Sequence, residues 1–148
     1  MSLQISINGH SLSVEKGKTI LQVARESGIA IPTLCDFPGL TSHGSCRLCV
    51  VEVEGRANMP TACTTLVEDG MVVQTDSPSV RALRTELLKL LLSEHPSSCL
   101  FCPEKSRCDD CMVTLRKAGV ITGCRSCPQD GQCELQTLVD RFDLAEVG

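Results

Sequence analysis

The chain has no tryptophan, no tyrosine and only three phenylalanines among 148 residues. Aromatic side chains usually carry much of the buried area of a small core, so a core of ordinary size must come from elsewhere. The N-terminus, Met-Ser-Leu-Gln-Ile-Ser-Ile, has neither a basic segment nor an apolar one, so no secretory signal is visible. No apolar run approaches the roughly eighteen residues that span a bilayer. A formal net charge of −4 argues against nucleic acid as the main partner. There is no G-x-G-x-x-G, no phosphate-binding G-x-x-x-x-G-K-[ST] and no Ser/His/Asp arrangement in a supporting context.

What the chain has instead is cysteine, eleven in all. Small domains with thin cores are commonly stapled by disulfides or metals. Without a secretory signal the chain is expected in the cytoplasm, where thiols stay reduced and dense cysteines point to metal or redox chemistry. An odd count would also leave one thiol unpaired. Eleven cysteines and His95 make twelve soft ligands, which divide into three sets of four.

In chain order, residues 3–14 alternate as a hairpin, with Leu3, Ile5 and Ile7 on one strand, Asn8-Gly9 as a type I′ turn, and Leu12 and Val14 on the return. Thr19 and Gln22 form a capping box for a short helix with Ile20, Val23 and Ala24 on its apolar face, stopped at Gly28. A loop from Ile31 to Cys49, rich in Pro, Gly and Ser, leads to a third strand over Val50–Glu54 and a fourth over Met71–Gln74. Ser77-Pro78 opens a second helix, the connector over residues 76–94. Its apolar stripe reads Val80, Leu83, Leu87, Leu90 and Leu91, with Arg81, Arg84 and Lys89 on the other side. Beyond Pro96 the periodicity is poor, with short helical pieces near Met112–Ala118 and after Cys133, where Leu135, Leu138 and Val139 recur.

Cys35, Cys46, Cys49 and Cys63 are spaced C-x10-C-x2-C-x13-C. The small residues of G-S-C-R-L-C let backbone N–H groups turn toward cluster sulfurs, and four thiolates so arranged suit a [2Fe–2S] centre. The first gap is longer than in a plant-type ferredoxin. A four-cysteine zinc site is the plainer reading, but zinc ribbons usually show two C-x2-C knuckles and this half has one.

With its β-β-α opening, this spacing resembles the N-terminal ferredoxin domain of the large peripheral iron–sulfur subunit of respiratory complex I. Iron-only hydrogenases and NAD-linked formate dehydrogenases carry a similar domain. The resemblance implies an α+β protein with a β-grasp [2Fe–2S] domain over residues 1–77. A linking helix and a metal-stabilised module with short helices would follow over 78–148. In that family a histidine-ligated [4Fe–4S] module follows as H-x3-C-x2-C-x5-C, a spacing matched by His95, Cys99, Cys102 and Cys108.

The departure lies beyond them. The family's module closes on C-x-L-Q, which here appears at Cys133-Glu-Leu-Gln136, and Cys124, Cys127 and Cys133 repeat the C-x2-C-x5-C spacing. If His95 joins Cys99, Cys102 and Cys108, the remaining quartet is Cys111, Cys124, Cys127 and Cys133. If it joins Cys124, Cys127 and Cys133, the remainder is Cys99, Cys102, Cys108 and Cys111. The short H-x3-C link favours the first. The extra quartet reads as a second [4Fe–4S] cluster or a structural zinc.

His10, just past the hairpin turn, reads as solvent-exposed, and His43 as a residue lining the cluster loop. Arg47, between two proposed ligands, reads equally as a donor toward the cluster or as a solvated side chain. The resemblance implies an electron-transfer subunit without catalytic residues of its own. It would work between a flavin/NAD(P)H-handling subunit and a catalytic hydrogenase, formate dehydrogenase or complex I-like partner. Large family members continue into a catalytic domain, whereas this chain ends at Gly148. The alternative is a ferredoxin-domain adaptor whose second half is held partly by zinc.

Overall fold

The structure, a computed structural model, describes residues 2–94 and 133–144. The chain divides into two units at Leu87/Leu88. In the first, β1 (Ser2–Ile7) and β2 (His10–Glu15) form the expected hairpin, paired Leu3 to Val14 and Ile5 to Leu12. Both turn residues take positive φ, +53° at Asn8 and +83° at Gly9, as a type I′ turn demands. Asn8 also ties the turn to the end of the sheet. Its Nδ2 donates to Thr75 Oγ1 and its Oδ1 accepts from the Thr75 N–H, both at 2.8 Å.

α1 (Ile20–Glu26) carries the capping box in full, with Gln22 N–H on Thr19 Oγ1 at 3.3 Å and Thr19 N–H on Gln22 Oε1 at 2.9 Å. Ile20, Leu21, Val23 and Ala24 are buried on one side of it. Two further strands follow, β3 (Glu52–Val53) and β4 (Val72–Gln74). The sheet order is β2-β1-β4-β3, with β1 and β4 parallel and the other pairs antiparallel. Ile5, Ile7, Val53 and Val73 from the sheet join the α1 residues, Val51 and Met71 in one core. Each such side chain contributes about 1.5–3 kcal/mol on burial, so aliphatic residues do the work that the missing aromatics usually do.

β3 is shorter than the Val50–Glu54 expected. Val50 leaves the β4 ladder and bridges Thr61 instead, and Gly55 at φ +80° turns the chain at the other end. The first residues of the expected strand are thus drawn toward the segment that bears Cys63.

α2 (Pro78–Glu94) begins as expected, with Val80 N–H on Ser77 Oγ at 3.2 Å. Its buried face is not the one expected. Of the expected stripe, Val80 is buried, but Leu83 and Leu90 are exposed, Leu90 by 65%, and Leu88 and Leu92 are buried instead. Arg84, assigned to the solvent side, is 1% exposed. Five leucines within six residues offer several overlapping stripes, and the contacts choose among them. In the second unit, α3 (Glu134–Arg141) follows Cys133 and buries Leu135, Leu138 and Val139, the residues singled out by their spacing. The helical piece expected near Met112–Ala118 lies outside the described residues. Among the described residues, no helix is long and apolar enough to cross a membrane.

Candidate iron–sulfur site

Two stretches bring four cysteines together. The loop between α1 and β3 carries Cys35, Cys46 and Cys49, and the turn after the Val50–Thr61 bridge carries Cys63. Cys49 and Cys63 are buried and Cys35 and Cys46 half-buried. All four are free thiols, as is Cys133.

Their interactions sort into two pairs. The Cys46 N–H points at Cys35 Sγ, 3.5 Å away. Burial works to raise the Cys35 thiol, but the N–H groups of Cys46, Ser45 and Cys35 itself, with the Cys46 thiol, outweigh it. They hold Cys35 below its ordinary value. Burial raises the Cys46 thiol, against the N–H groups of Leu48 and Leu34. In the other pair, burial pushes the Cys63 thiol up to about 12, reinforced by its hydrogen bond with Cys49 and the nearby charges of Cys49, Cys35 and Asp36. A [2Fe–2S] cluster takes two thiolates on each of two irons, whereas tetrahedral zinc takes four about one centre. Two thiol pairs within electrostatic reach of each other fit the former.

The loop's shape has local causes. Gly44 sits at φ +66°, and a Cβ there would lie 3.2 Å from Thr61 Oγ1. Only glycine lets this part of the loop approach the Cys63 turn so closely. Arg47 takes φ +60° and its side chain is exposed, as are His10 and His43. Left-handed backbone at Gly44 and Arg47 turns the intervening amides inward, the role anticipated for G-S-C-R-L-C.

Three supports escape a reading of the sequence. Asp36, just after Cys35, accepts from Ser42 Oγ and pairs with Arg25 of α1 at 2.6 Å. The Ser42 hydrogen bond first, then Arg25, hold its carboxyl below the ordinary carboxylate value against the effect of burial. Thr61 and Thr64 share a 2.6 Å hydroxyl contact beside Cys63. Arg84 donates through Nη2 to the Val50 carbonyl at 2.8 Å. The position of Asp36 beside a cysteine was the only cue available for any of these. His95, Cys99, Cys102, Cys108, Cys111, Cys124 and Cys127 lie outside the described residues. Cys133 is half-buried immediately before α3, with no side-chain capping bond.

A small mixed sheet with one capped helix and four thiols gathered in its loops defines the ferredoxin-like class of domain. The chain belongs to the 2Fe–2S iron–sulfur cluster binding domain family, whose model matches residues 1–78. It is 41% identical over 149 residues to the HndD subunit of the NADP-reducing hydrogenase of Solidesulfovibrio fructosivorans, covering 97% of this chain and 21% of that one. It is 39% identical over 108 residues to the gamma subunit of the NAD-reducing hydrogenase HoxS of Cupriavidus necator, covering 73% and 45%. The mitochondrial NADH-ubiquinone oxidoreductase 78 kDa subunit of Candida albicans is 35% identical over 107 residues, 72% of this chain and 15% of that one. The chain thus spans less than half the length of each of these relatives. A chain in a crystal structure of an NAD+-reducing [NiFe]-hydrogenase superposes with a TM-score of 0.73 at 28% identity, covering 99% of this chain and 52% of that one. Relatives of this kind support an electron-transfer role.

Proposed function

We propose that Cys35, Cys46, Cys49 and Cys63 hold a [2Fe–2S] cluster in a β-grasp domain formed by residues 1–77. In this reading the chain relays electrons within a cytoplasmic, NAD(P)-linked oxidoreductase. The observation that carries the assignment is the gathering of the four free thiols in two adjoining loops, with the Cys46 N–H turned onto Cys35 Sγ at 3.5 Å. The sheet order β2-β1-β4-β3 with α1 packed on it supports the β-grasp reading. When bound, the cluster supplies one-electron transfer. The chain's own residues supply four thiolates, a buried setting for Cys49 and Cys63, and amide donors that stabilise negative charge on sulfur.

We extend the proposal to residues 78–148 as a linking helix and cluster module. His95, Cys99, Cys102 and Cys108 would hold a [4Fe–4S] cluster, and Cys111, Cys124, Cys127 and Cys133 a second cluster or a zinc. The match to the HndD hydrogenase subunit covers 97% of the chain, so it includes the second cysteine-rich stretch as well as the first. By the same likeness the partners are a flavin/NAD(P)H-handling subunit and a catalytic oxidoreductase subunit.

Iron, acid-labile sulfide and zinc are to be measured on anaerobically purified protein. The reading gives roughly six to ten irons per chain with matching sulfide, at two or four irons per cluster. Cys46→Ser and Cys63→Ser should each abolish or alter the [2Fe–2S] EPR signal. If both variants retain an unchanged signal, these four cysteines are not the ligands. About two irons with stoichiometric zinc would replace the longer relay by one cluster and a structural metal.

A further inference from the structure

We propose that Arg84 is a positioning residue of the [2Fe–2S] site, bracing the backbone behind Cys49 and supplying a fixed positive charge that raises the cluster's potential. The proposal rests on the ligand assignment above.

Residues 49–51 and 60–62 run antiparallel. The Val51 N–H donates to the Pro60 carbonyl at 3.0 Å and the Ala62 N–H to the Cys49 carbonyl at 2.9 Å, around the bridge between Val50 and Thr61. In such a bridge the central residue turns its own N–H and C=O away from its partner. The Val50 N–H reaches the Arg47 carbonyl at 3.3 Å. Its carbonyl, in a residue only 1% exposed, accepts from Arg84 Nη2 at 2.8 Å. A helix side chain thus stands where a further strand would otherwise satisfy this edge. The braced segment carries Cys49 at one end, and the Cys49 carbonyl holds Ala62, the neighbour of Cys63. Arg84 therefore steadies the backbone that bears the buried thiol pair.

Burying a cation is unfavourable unless it gains something in return. Arginine keeps its charge at every accessible pH and reaches across with a planar fork of donors. A reduced cluster carries one more negative charge than an oxidised one. A cation held in the low-dielectric interior beside its ligand segment favours the reduced form. A glutamine would keep a donor without the charge, and a lysine the charge without the fork.

The test compares full-length wild type, Arg84→Gln and Arg84→Lys by dye-mediated redox titration of the [2Fe–2S] EPR signal and by the rate of cluster loss to an iron chelator. Arg84→Gln should titrate at a lower midpoint potential. It should also lose its cluster about tenfold faster, the scale of one lost charge-assisted hydrogen bond. Arg84→Lys should keep a midpoint close to wild type. Equal midpoints in wild type and Arg84→Gln overturn the proposal, as does a lysine variant that falls as far as the glutamine one. If Arg84→Gln is obtained without its cluster, the lysine variant decides. A wild-type-like midpoint supports the role, and a lowered midpoint or no cluster overturns it. A wild type whose [2Fe–2S] signal is untouched by Cys46→Ser and Cys63→Ser refutes the ligand assignment itself, a result separate from any behaviour of the Arg84 variants.

Discussion

Arg25 Nη1 lies 2.6 Å from Asp36 Oδ2, so the residue after Cys35 is pinned to the last turn of α1. Arg25 is about half exposed, and such a pair contributes only about 0–1 kcal/mol to global stability. Its effect should be local. Arg25→Ala is expected to leave the melting temperature nearly unchanged while speeding chelator-driven cluster loss by up to about fivefold, the equivalent of about 1 kcal/mol. Arg56→Ala, which breaks the pair with Glu68 at 3.1 Å, serves as the control and should not change cluster loss.

Gly44 and Gly55 both have positive φ, but only Gly44 has neighbours where a Cβ would go. Gly55→Ala should cost about 1 kcal/mol from backbone strain alone. Gly44→Ala adds a close approach to Thr61 Oγ1 and Thr64 Cγ2, and should destabilise more and lower iron content. Urea unfolding with iron quantification on both variants checks the difference. Equal behaviour would mean that the loop has room to shift.

The capping box at Thr19 serves the fold without touching a thiol. Thr19→Ala should cost about 1 kcal/mol, and a loss of that size lowers the melting temperature by roughly 4–8 °C in a domain this small. Iron and sulfide per folded chain should stay at wild-type values. A deficit would mean that the cap also steadies the Cys63 turn, whose Ala62 carbonyl accepts from the Leu21 N–H at 2.9 Å.

The register of α2 can be read by two substitutions. Leu88 is fully buried and Leu90 is 65% exposed. Leu88→Ala should therefore destabilise by about 2–4 kcal/mol, and Leu90→Ala by less than about 0.5 kcal/mol. Denaturant midpoints decide between this register and the reverse one.

Much of the first unit is legible in the sequence. Asn8-Gly9 has few conformations that suit it, and a type I′ hairpin is the one that its alternating flanks accept. Thr19 and Gln22 sit three apart, the spacing at which each can cap the other's backbone. Cys35, Cys46, Cys49 and Cys63 stood out because thiols are scarce and their spacing is specific. α2 was harder to read, because a run of leucines satisfies several stripes at once and a charged side chain counts as solvent-facing by default. Arg84 defeats that default because its partner is a carbonyl 34 positions earlier, and no local pattern records so distant a contact.

The sequence by itself determined the hairpin and the capped helix, since turn chemistry and capping act over a few residues. Tertiary structure decided that the four thiols of two separate loops lie together, that Val50 bridges Thr61 rather than β4, that Arg25 pairs with Asp36 and that Arg84 meets the Val50 carbonyl. Those outcomes depend on segments far apart in the chain meeting in a dry interior. There, each buried carbonyl and thiol must find a partner among whatever the fold brings near.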